Sequence, residues 1–264
     1  MADGRILNIM TQYNNRTVSV IIPVYNAARF IGATLESVLN QSYKDIEVVL
    51  VDDCSADDSA KIIAEYSNRH PYIIYHRLKK NEGAAVARNT ALHLAGGRYV
   101  AFLDSDDLWC SDKIEKQLAF MDEKDAAMSC TAMDTMDENG NHLGAVRRVK
   151  DIIEYDFLLH NTMIATSTVI IDRNKTGNFT MPLRRGGQDY ATWLMLMRNG
   201  SVFYGLDEVL THYRILAGSL SSNKYKSVRQ VWQIQTQDEN IPRLSAAINV
   251  CFFIANAFAK HFLK

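Results

Sequence analysis

The chain has 264 residues, with 29 Lys and Arg against 30 Asp and Glu and a formal charge of −1. That balance excludes a non-specific nucleic-acid binder, which needs a basic face. Hydrophobic residues at 47% and charged residues at 22% exclude a disordered or fibrous chain.

Val18 to Val24 (VSVIIPV) is a β-branched run suited to a strand buried on both faces. Asn26 stands where it caps a predicted helix to about Gln41, with Phe30, Ile31, Leu35, Val38 and Leu39 on one face. Ile46 to Val51 predicts a second strand, ending in Asp52-Asp53. Ser55-Ala56-Asp57-Asp58 has capping-box character and predicts a helix to about His70. Tyr72 to Leu78 is a third strand, and Ala84 to Ala95 a helix stopped by Gly96-Gly97. Tyr99 to Leu103 is a fourth strand, ending in Asp104-Ser105-Asp106-Asp107. Beyond it the pattern weakens: short strands are expected at 126–131, 166–171, 201–204 and 209–213, with a helix from Tyr190 to Arg198.

Strands and helices thus alternate at intervals of roughly 25 to 30 residues, the mark of βαβ units and a parallel sheet. Ligands in such sheets sit beyond the carboxyl ends of the strands. Two acidic clusters fall there. Asp104, Asp106 and Asp107 repel one another unless a cation or donors lie between them, and Mg²⁺ or Mn²⁺ prefers carboxylate and phosphate oxygens. An Asp-rich turn leading to a helix near Asp112 accounts for the cluster equally well. Asp52-Asp53 suits contact with a base or ribose, although helix capping is the commoner role. Asp189, after Gly186-Gly187-Gln188, is placed for proton abstraction at a helix mouth, where carboxylates also occur for structural reasons. His212, in Thr-His-Tyr-Arg, reads as a structural strand residue. A P-loop, a dinucleotide-binding glycine pattern after the first strand and a Gly-x-Ser-x-Gly elbow are all missing.

Six stretches together resemble glycosyltransferase family 2: VSVIIPVYNAARFIGATLESVLNQSY, IEVVLVDDCSADDS, NEGAAVARNTAL, GGRYVAFLDSDDLW, GGQDYATWLML and THYRILAGSLSSNK. The resemblance implies an α/β GT-A fold, a Rossmann-like, mainly parallel sheet flanked by helices. It divides the chain into an N-terminal extension (1–16), a nucleotide-sugar half (17–110), an acceptor half (111–224) and a helical tail (225–264). It implies inverting, metal-dependent transfer of one hexose or N-acetylhexosamine from a nucleoside diphosphate sugar, UDP being favoured. By the same resemblance Asp189 is the catalytic base, and Asp106 holds Mn²⁺ or Mg²⁺. Pro23, Tyr25, Asp52, Asp53, Arg88 and Asp104 contact the donor. Gln188 stands where many members have Glu, and Leu216 where many have His. Gln188 and His212 are therefore the acceptor-side candidates, His212 as a stand-in for the missing His. The Gln-x-x-Arg-Trp signature of processive synthases is missing. The resemblance implies a lipid-linked glycan acceptor, with undecaprenyl diphosphate as the carrier, in a surface polysaccharide such as O-antigen or capsule. A non-catalytic nucleotide-sugar binder and a sugar-nucleotide pyrophosphorylase are the alternatives.

Cys54, Cys110, Cys130 and Cys251 form no Cys-x-x-Cys pair and show no zinc-ligand spacing with the histidines. A reducing compartment is expected. The opening MADGRILNIMTQYNNR lacks the apolar core of a signal peptide, so a cytoplasmic protein is expected. The tail from Ser245 to Lys264 is strongly apolar, with Ser245, Asn249, Asn256 and Lys260 on one narrow stripe. It is too short and interrupted to span a bilayer. Packing on the core or a second subunit is one role for it. Peripheral contact with the inner face of the plasma membrane, aided by Lys224, Lys226 and Arg229, is the other.

Overall fold

The structure, a computed structural model, describes residues 13, 15–216 and 224–262. Most of the expected extension 1–16 and the segment 217–223, with Ser219, lie outside the described residues.

Among the described residues ten strands form one sheet: eight follow the order β3 (Ile73–Arg77), β2 (Ile46–Asp52), β1 (Val18–Val24), β4 (Tyr99–Phe102), β9 (Ile170–Asp172), β6 (Met128–Met136), β10 (Phe203–Arg214), β5 (Leu108–Trp109), with β7 (His142–Arg147) beside β6 and β8 (Ile152–Ile153) beside β10. Four of them, β1 (Val18–Val24), β2 (Ile46–Asp52), β3 (Ile73–Arg77) and β4 (Tyr99–Phe102), are mutually parallel. Their loops therefore emerge on one edge. In β1, Val18, Val20, Ile22 and Val24 enter one hydrophobic core and Ile21 the other. Both faces of the strand are covered, which is why the run is apolar without alternation.

One face carries α1 (Ile31–Leu39), α2 (Ser59–Arg69) and α4 (Lys113–Glu123). The other carries α3 (Ala84–Leu94), a short α5 (Tyr155–Leu159) and α7 (Gln188–Met197); the four-residue α6 (Arg173–Thr176) follows β9. In α1 the buried Ile31, Leu35 and Val38 lie on one side, each contributing about 1.5–3 kcal/mol on burial.

The two predicted caps need correction. The first helix begins at Ile31, and Asn26 takes a left-handed φ of 49° in the loop before it. Asp58 precedes α2 without a side-chain cap. These polar side chains instead stitch the two loops together. Ser55 Oγ accepts from Asn26 N at 2.9 Å, Asn26 Oδ1 from Ala56 N at 2.8 Å, and Asp57 Oδ2 from Ala28 N at 2.9 Å. Cap chemistry and loop-to-loop chemistry use the same short oxygens.

The second half extends the sheet in mixed directions. The expected strand at 126–131 is β6 (Met128–Met136), and 166–171 divides into a 3₁₀ turn (Thr166–Thr168) and β9 (Ile170–Asp172). The two strands expected at 201–204 and 209–213 are one long β10 (Phe203–Arg214), parallel to β6 and bulged near Leu206 and Val209. β5 (Leu108–Trp109) and β8 (Ile152–Ile153) pair with β10, and β7 (His142–Arg147) pairs with β6.

The tail forms α8 (Lys224–Gln233), a π-helical turn (Ile234–Asp238) and α9 (Arg243–Phe262). Val231 and Ile234 enter the core. The Asn stripe of α9 faces the protein. Asn249 Nδ2 donates to Gln235 Oε1 at 3.0 Å, its Oδ1 lies 2.9 Å from His160 Nε2, and Asn256 Nδ2 donates to the His160 carbonyl. Leu244, Ile248 and Phe252 are consequently exposed. Among the described residues, no helix is long and apolar enough to cross a membrane.

Candidate active site

The site lies at the carboxyl edge of the parallel strands. Pro23 is half-buried near the end of β1, and Tyr25, just past it, is exposed. Asp52 ends β2 with its carboxylate turned inward. Oδ1 accepts from Ser55 N at 2.8 Å, and Oδ2 accepts from the Tyr75 hydroxyl at 3.0 Å and pairs with Arg77 at 3.4 Å. Burial, with Asp52 beside it, pushes the Tyr75 hydroxyl up to about 12. Asp53 accepts from Glu82 N at 2.7 Å and Gly83 N at 2.8 Å. It thereby closes the loop ahead of α3, where Gly83 has φ 95° and a side chain would be strained.

The three carboxylates after β4 have different surroundings. Asp104 pairs at 2.5 Å with Arg88, a buried residue of α3 whose Nε has no hydrogen-bond partner. Asp107 is fully enclosed; Ser167 Oγ donates to it at 2.6 Å and Arg214 N at 2.9 Å. Burial, reinforced by Asp104 and Asp106, holds its carboxyl well above the usual range. No side chain among the described residues donates to the Asp106 carboxylate. Burial first, and then Asp104, raise it to about 6. The Asp106 carbonyl is held by Arg214 Nε at 2.7 Å, and Thr34 Oγ1 fixes the turn through the Ser105 and Asp107 carbonyls, both at 3.0 Å.

The 3₁₀ turn joins this cluster to Asp189. Ser167 Oγ accepts from Asp104 N at 3.1 Å while donating to Asp107, and the adjacent Thr166 donates to Asp189 Oδ2 at 3.2 Å. Asp189 is half-buried in the first turn of α7, after Gly187 at φ 70°. A Cβ on Gly187 would lie 2.9 Å from Ile234 Cδ1, so the glycine also admits the C-terminal helices. Gln188 Oε1 is buried beside it without a partner.

His212 joins a different group. Its Nδ1 lies 2.6 Å from Asp134 Oδ1, and His142 Nδ1 lies 2.8 Å from Asp134 Oδ2. Thr166, Ser167, Thr34 and Arg214 were not expected at the site. Arg214 and Thr34 alone had a sequence signal, since both stand in stretches quoted for the resemblance.

A mainly parallel, helix-flanked sheet with acidic clusters at its carboxyl edge is the GT-A arrangement, that of nucleotide-sugar enzymes. The chain belongs to glycosyl transferase family 2, whose family model matches residues 19–186, and it is a glycosyltransferase. It is 44% identical over 243 residues to the putative teichuronic acid biosynthesis glycosyltransferase TuaG of Bacillus subtilis, covering 92% of this chain and 96% of that one. It is 40% identical over 211 residues to the Escherichia coli UDP-Glc:alpha-D-GlcNAc-diphosphoundecaprenol beta-1,3-glucosyltransferase WfaP, covering 80% of this chain and 82% of that one. Among solved structures it resembles S. aureus TarS 1-349 in complex with UDP-GlcNAc, with a TM-score of 0.70 at 23% identity over 92% of this chain and 73% of that one. It also resembles the Pyrobaculum calidifontis mannosyltransferase PcManGT in complex with GDP-Man and Mn²⁺, with a TM-score of 0.63 at 19% identity over 94% and 75%.

Proposed function

We propose that the protein transfers a single hexose or N-acetylhexosamine, with inversion, from a UDP-sugar to a hydroxyl of a lipid-linked glycan in surface polysaccharide synthesis. The observation that carries this reading is the Thr166–Ser167 pair, which ties Asp189 and the Asp104–Asp107 cluster to one turn. The donor reading is supported by the UDP-Glc named for WfaP and the UDP-GlcNAc bound to TarS. The acceptor reading is supported by the diphosphoundecaprenol named for WfaP.

The residues present fit a divalent cation at Asp106. A carboxylate that is half-buried, raised to about 6 and, among the described residues, without a side-chain donor is the one that a cation satisfies best. Mn²⁺ or Mg²⁺ there supplies charge that offsets the departing diphosphate. Arg88 holds Asp104 toward the ribose, and Asp53, Pro23 and Tyr25 border the base. Asp52 acts from beneath by fixing the loop from 53 to 55. Asp189 accepts the proton of the acceptor hydroxyl while its oxygen attacks C1 opposite the diphosphate, and Thr166 orients the carboxylate. Gln188, beside Asp189 in the first turn of α7, is placed on the acceptor side. The exposed apolar face of α9 is proposed to rest on the inner membrane surface, where such an acceptor lies.

The test is a thermal-shift and calorimetric panel of nucleotide sugars with and without Mn²⁺. A bound donor at 100 times its dissociation constant raises stability by about 2.7 kcal/mol. Asp106→Ala is expected to remove the gain in UDP affinity that Mn²⁺ gives. Equal Mn²⁺-dependent affinity in that variant removes Asp106 from the metal site, and no response to any UDP-sugar rejects the donor class.

A further inference from the structure

Among the described residues, one group of three metal-ligating side chains has its ligand atoms within 4.8 Å of one another: Asp134, His142 and His212. They come from three strands. Asp134 is on β6, His142 opens β7 and His212 is on β10. The two imidazoles approach the same carboxylate from its two oxygens, Nδ1 to Oδ1 at 2.6 Å and Nδ1 to Oδ2 at 2.8 Å. Their rings meet edge to face at 82°, with centroids 4.9 Å apart. Both Nδ1 atoms therefore border the same carboxylate, one at each oxygen, with a ligand atom of each residue within 4.8 Å of the others.

We infer that Asp134, His142 and His212 form a second cation site, distinct from the donor cluster, that takes a transition-metal ion, zinc above others. Two imidazole nitrogens and one carboxylate oxygen suit zinc, whereas Mg²⁺ and Mn²⁺ favour all-oxygen sets. With an ion on Nδ1, each neutral imidazole would carry its single proton on Nε2. For His212 that proton already has a receiver: Nε2 lies 3.4 Å from Cys110 Sγ. A ligating histidine oriented through its other nitrogen is the usual outer arrangement of a metal site. Three protein ligands leave a fourth position for water.

The site has a mechanical consequence. β7 is exposed over most of its length and, among the described residues, forms its strand pairing with β6 alone. The turn joining these strands offers the Asp137 and Glu138 carbonyls to Arg214 at 3.1 and 3.2 Å, and Arg214 holds the Asp106 carbonyl. An ion at His142 and His212 fastens this hairpin to β10, two residues from Arg214, and so stiffens the wall behind the donor cluster.

The experiment is titration of the metal-free full chain with zinc by calorimetry, plus Co²⁺ absorption as a spectroscopic readout of the ligand set. Wild type is expected to bind one equivalent of zinc that Mn²⁺ in excess does not displace, and Asp106→Ala to bind it equally. Loss of an outer partner alone lowers metal affinity about 10-fold or more, so His142→Ala and His212→Gln are expected to lower it at least that much. His142 has a side chain 59% exposed, so its variant folds and keeps the test decisive. No stoichiometric zinc binding by wild type, or unchanged affinity in His142→Ala, overturns the inference. Loss of zinc binding in Asp106→Ala with retention in His142→Ala assigns the ion to the donor cluster instead.

Discussion

Ser167 donates a 2.6 Å hydrogen bond to the enclosed Asp107, and the same oxygen accepts from the backbone of Asp104 at 3.1 Å. One hydroxyl thus anchors both ends of the acidic turn that carries Asp106. Removing it leaves a buried carboxyl short of a donor, at a cost of about 1–3 kcal/mol. Ser167→Ala is expected to lose that much in chemical denaturation and to weaken UDP binding. Thr at the same position, which restores the hydroxyl, is expected to recover most of both. A Ser167→Ala protein as stable as wild type would mean that the turn is held by Thr34 and Arg214 alone.

Asp189→Asn keeps the shape of the α7 mouth and the contact with Thr166 but removes the basic oxygen. Transfer is expected to fall by about 10²- to 10⁴-fold, the usual worth of a positioned general base, with UDP affinity unchanged. Thr166→Val is expected to give a smaller fall in kcat at equal KM for the donor, because it frees the carboxylate without neutralising it. Steady-state kinetics with a saturating donor distinguishes the two. Near wild-type turnover in Asp189→Asn would remove this residue from the proton transfer.

The proposed cation at Asp106 carries a pH signature. The Asp106 carboxyl titrates near about 6 in the folded chain against an ordinary 3.8, because burial and Asp104 disfavour the anion. The folded state therefore binds more protons than the unfolded one between those values, and this group's contribution to stability declines as pH rises through about 6. A divalent cation competes with that proton. The rise in melting temperature with Mn²⁺ is expected to be small below pH 6 and to grow above it, and Asp106→Asn is expected to abolish the growth. A Mn²⁺ response independent of pH would place the ion elsewhere.

The parallel half of the fold was legible because β1, β2 and β4 are buried on both faces and the helices between the strands carry a clear apolar side. The loops were misread where one side chain can serve two ends: Asn26 and Ser55 look like caps, yet each satisfies an amide of the other's loop. β10 read as two strands because polar Asp207 and Glu208 fall at its bulge. Of the site, the carboxylates were visible as strand-end clusters. Thr166 and Ser167 were not, since a hydroxyl on a 3₁₀ turn has no pattern. The Asp134–His142–His212 group was invisible for a geometric reason. Asp134 and His212 are 78 residues apart and meet only because β6 and β10 are neighbours in the sheet.

Lys113 is fully buried at the start of α4, donating to Gln117 Oε1 at 2.7 Å and lying 4.3 Å from the centre of the Trp109 ring. Burial pulls its ammonium down to about 7 from 10.5. The unfolded chain then binds the extra proton between those values, so stability is expected to rise as pH increases from about 7 toward 10. Lys113→Met fills the same volume without the charge. It is expected to be more stable than wild type near neutral pH and to show a flatter stability profile across that window. Denaturant melts at neutral and alkaline pH check this; an unchanged slope in the variant would show that Lys113 keeps its proton in the folded state.

The exposed apolar face of α9 leads to a sharper membrane test than truncation. Cutting the chain at Pro242 would remove Asn249 and Asn256 along with their bonds to Gln235 and His160, and would unseat the α5 region whether or not lipid binds there. Leu244, Ile248 and Phe252 are at least half exposed, at 77%, 50% and 53%, and point away from those bonds. Exposed substitutions of this kind usually change stability by less than about 0.5 kcal/mol. Ile248→Glu combined with Phe252→Glu is therefore expected to keep the melting temperature of wild type. Its flotation with anionic liposomes is expected to be lost, because two carboxylates would have to enter the acyl boundary. Equal flotation of both proteins would move the contact to another surface. Failure of wild type to float, with both proteins folded, would leave α9 no membrane role and would require the acceptor lipid to reach the site without it.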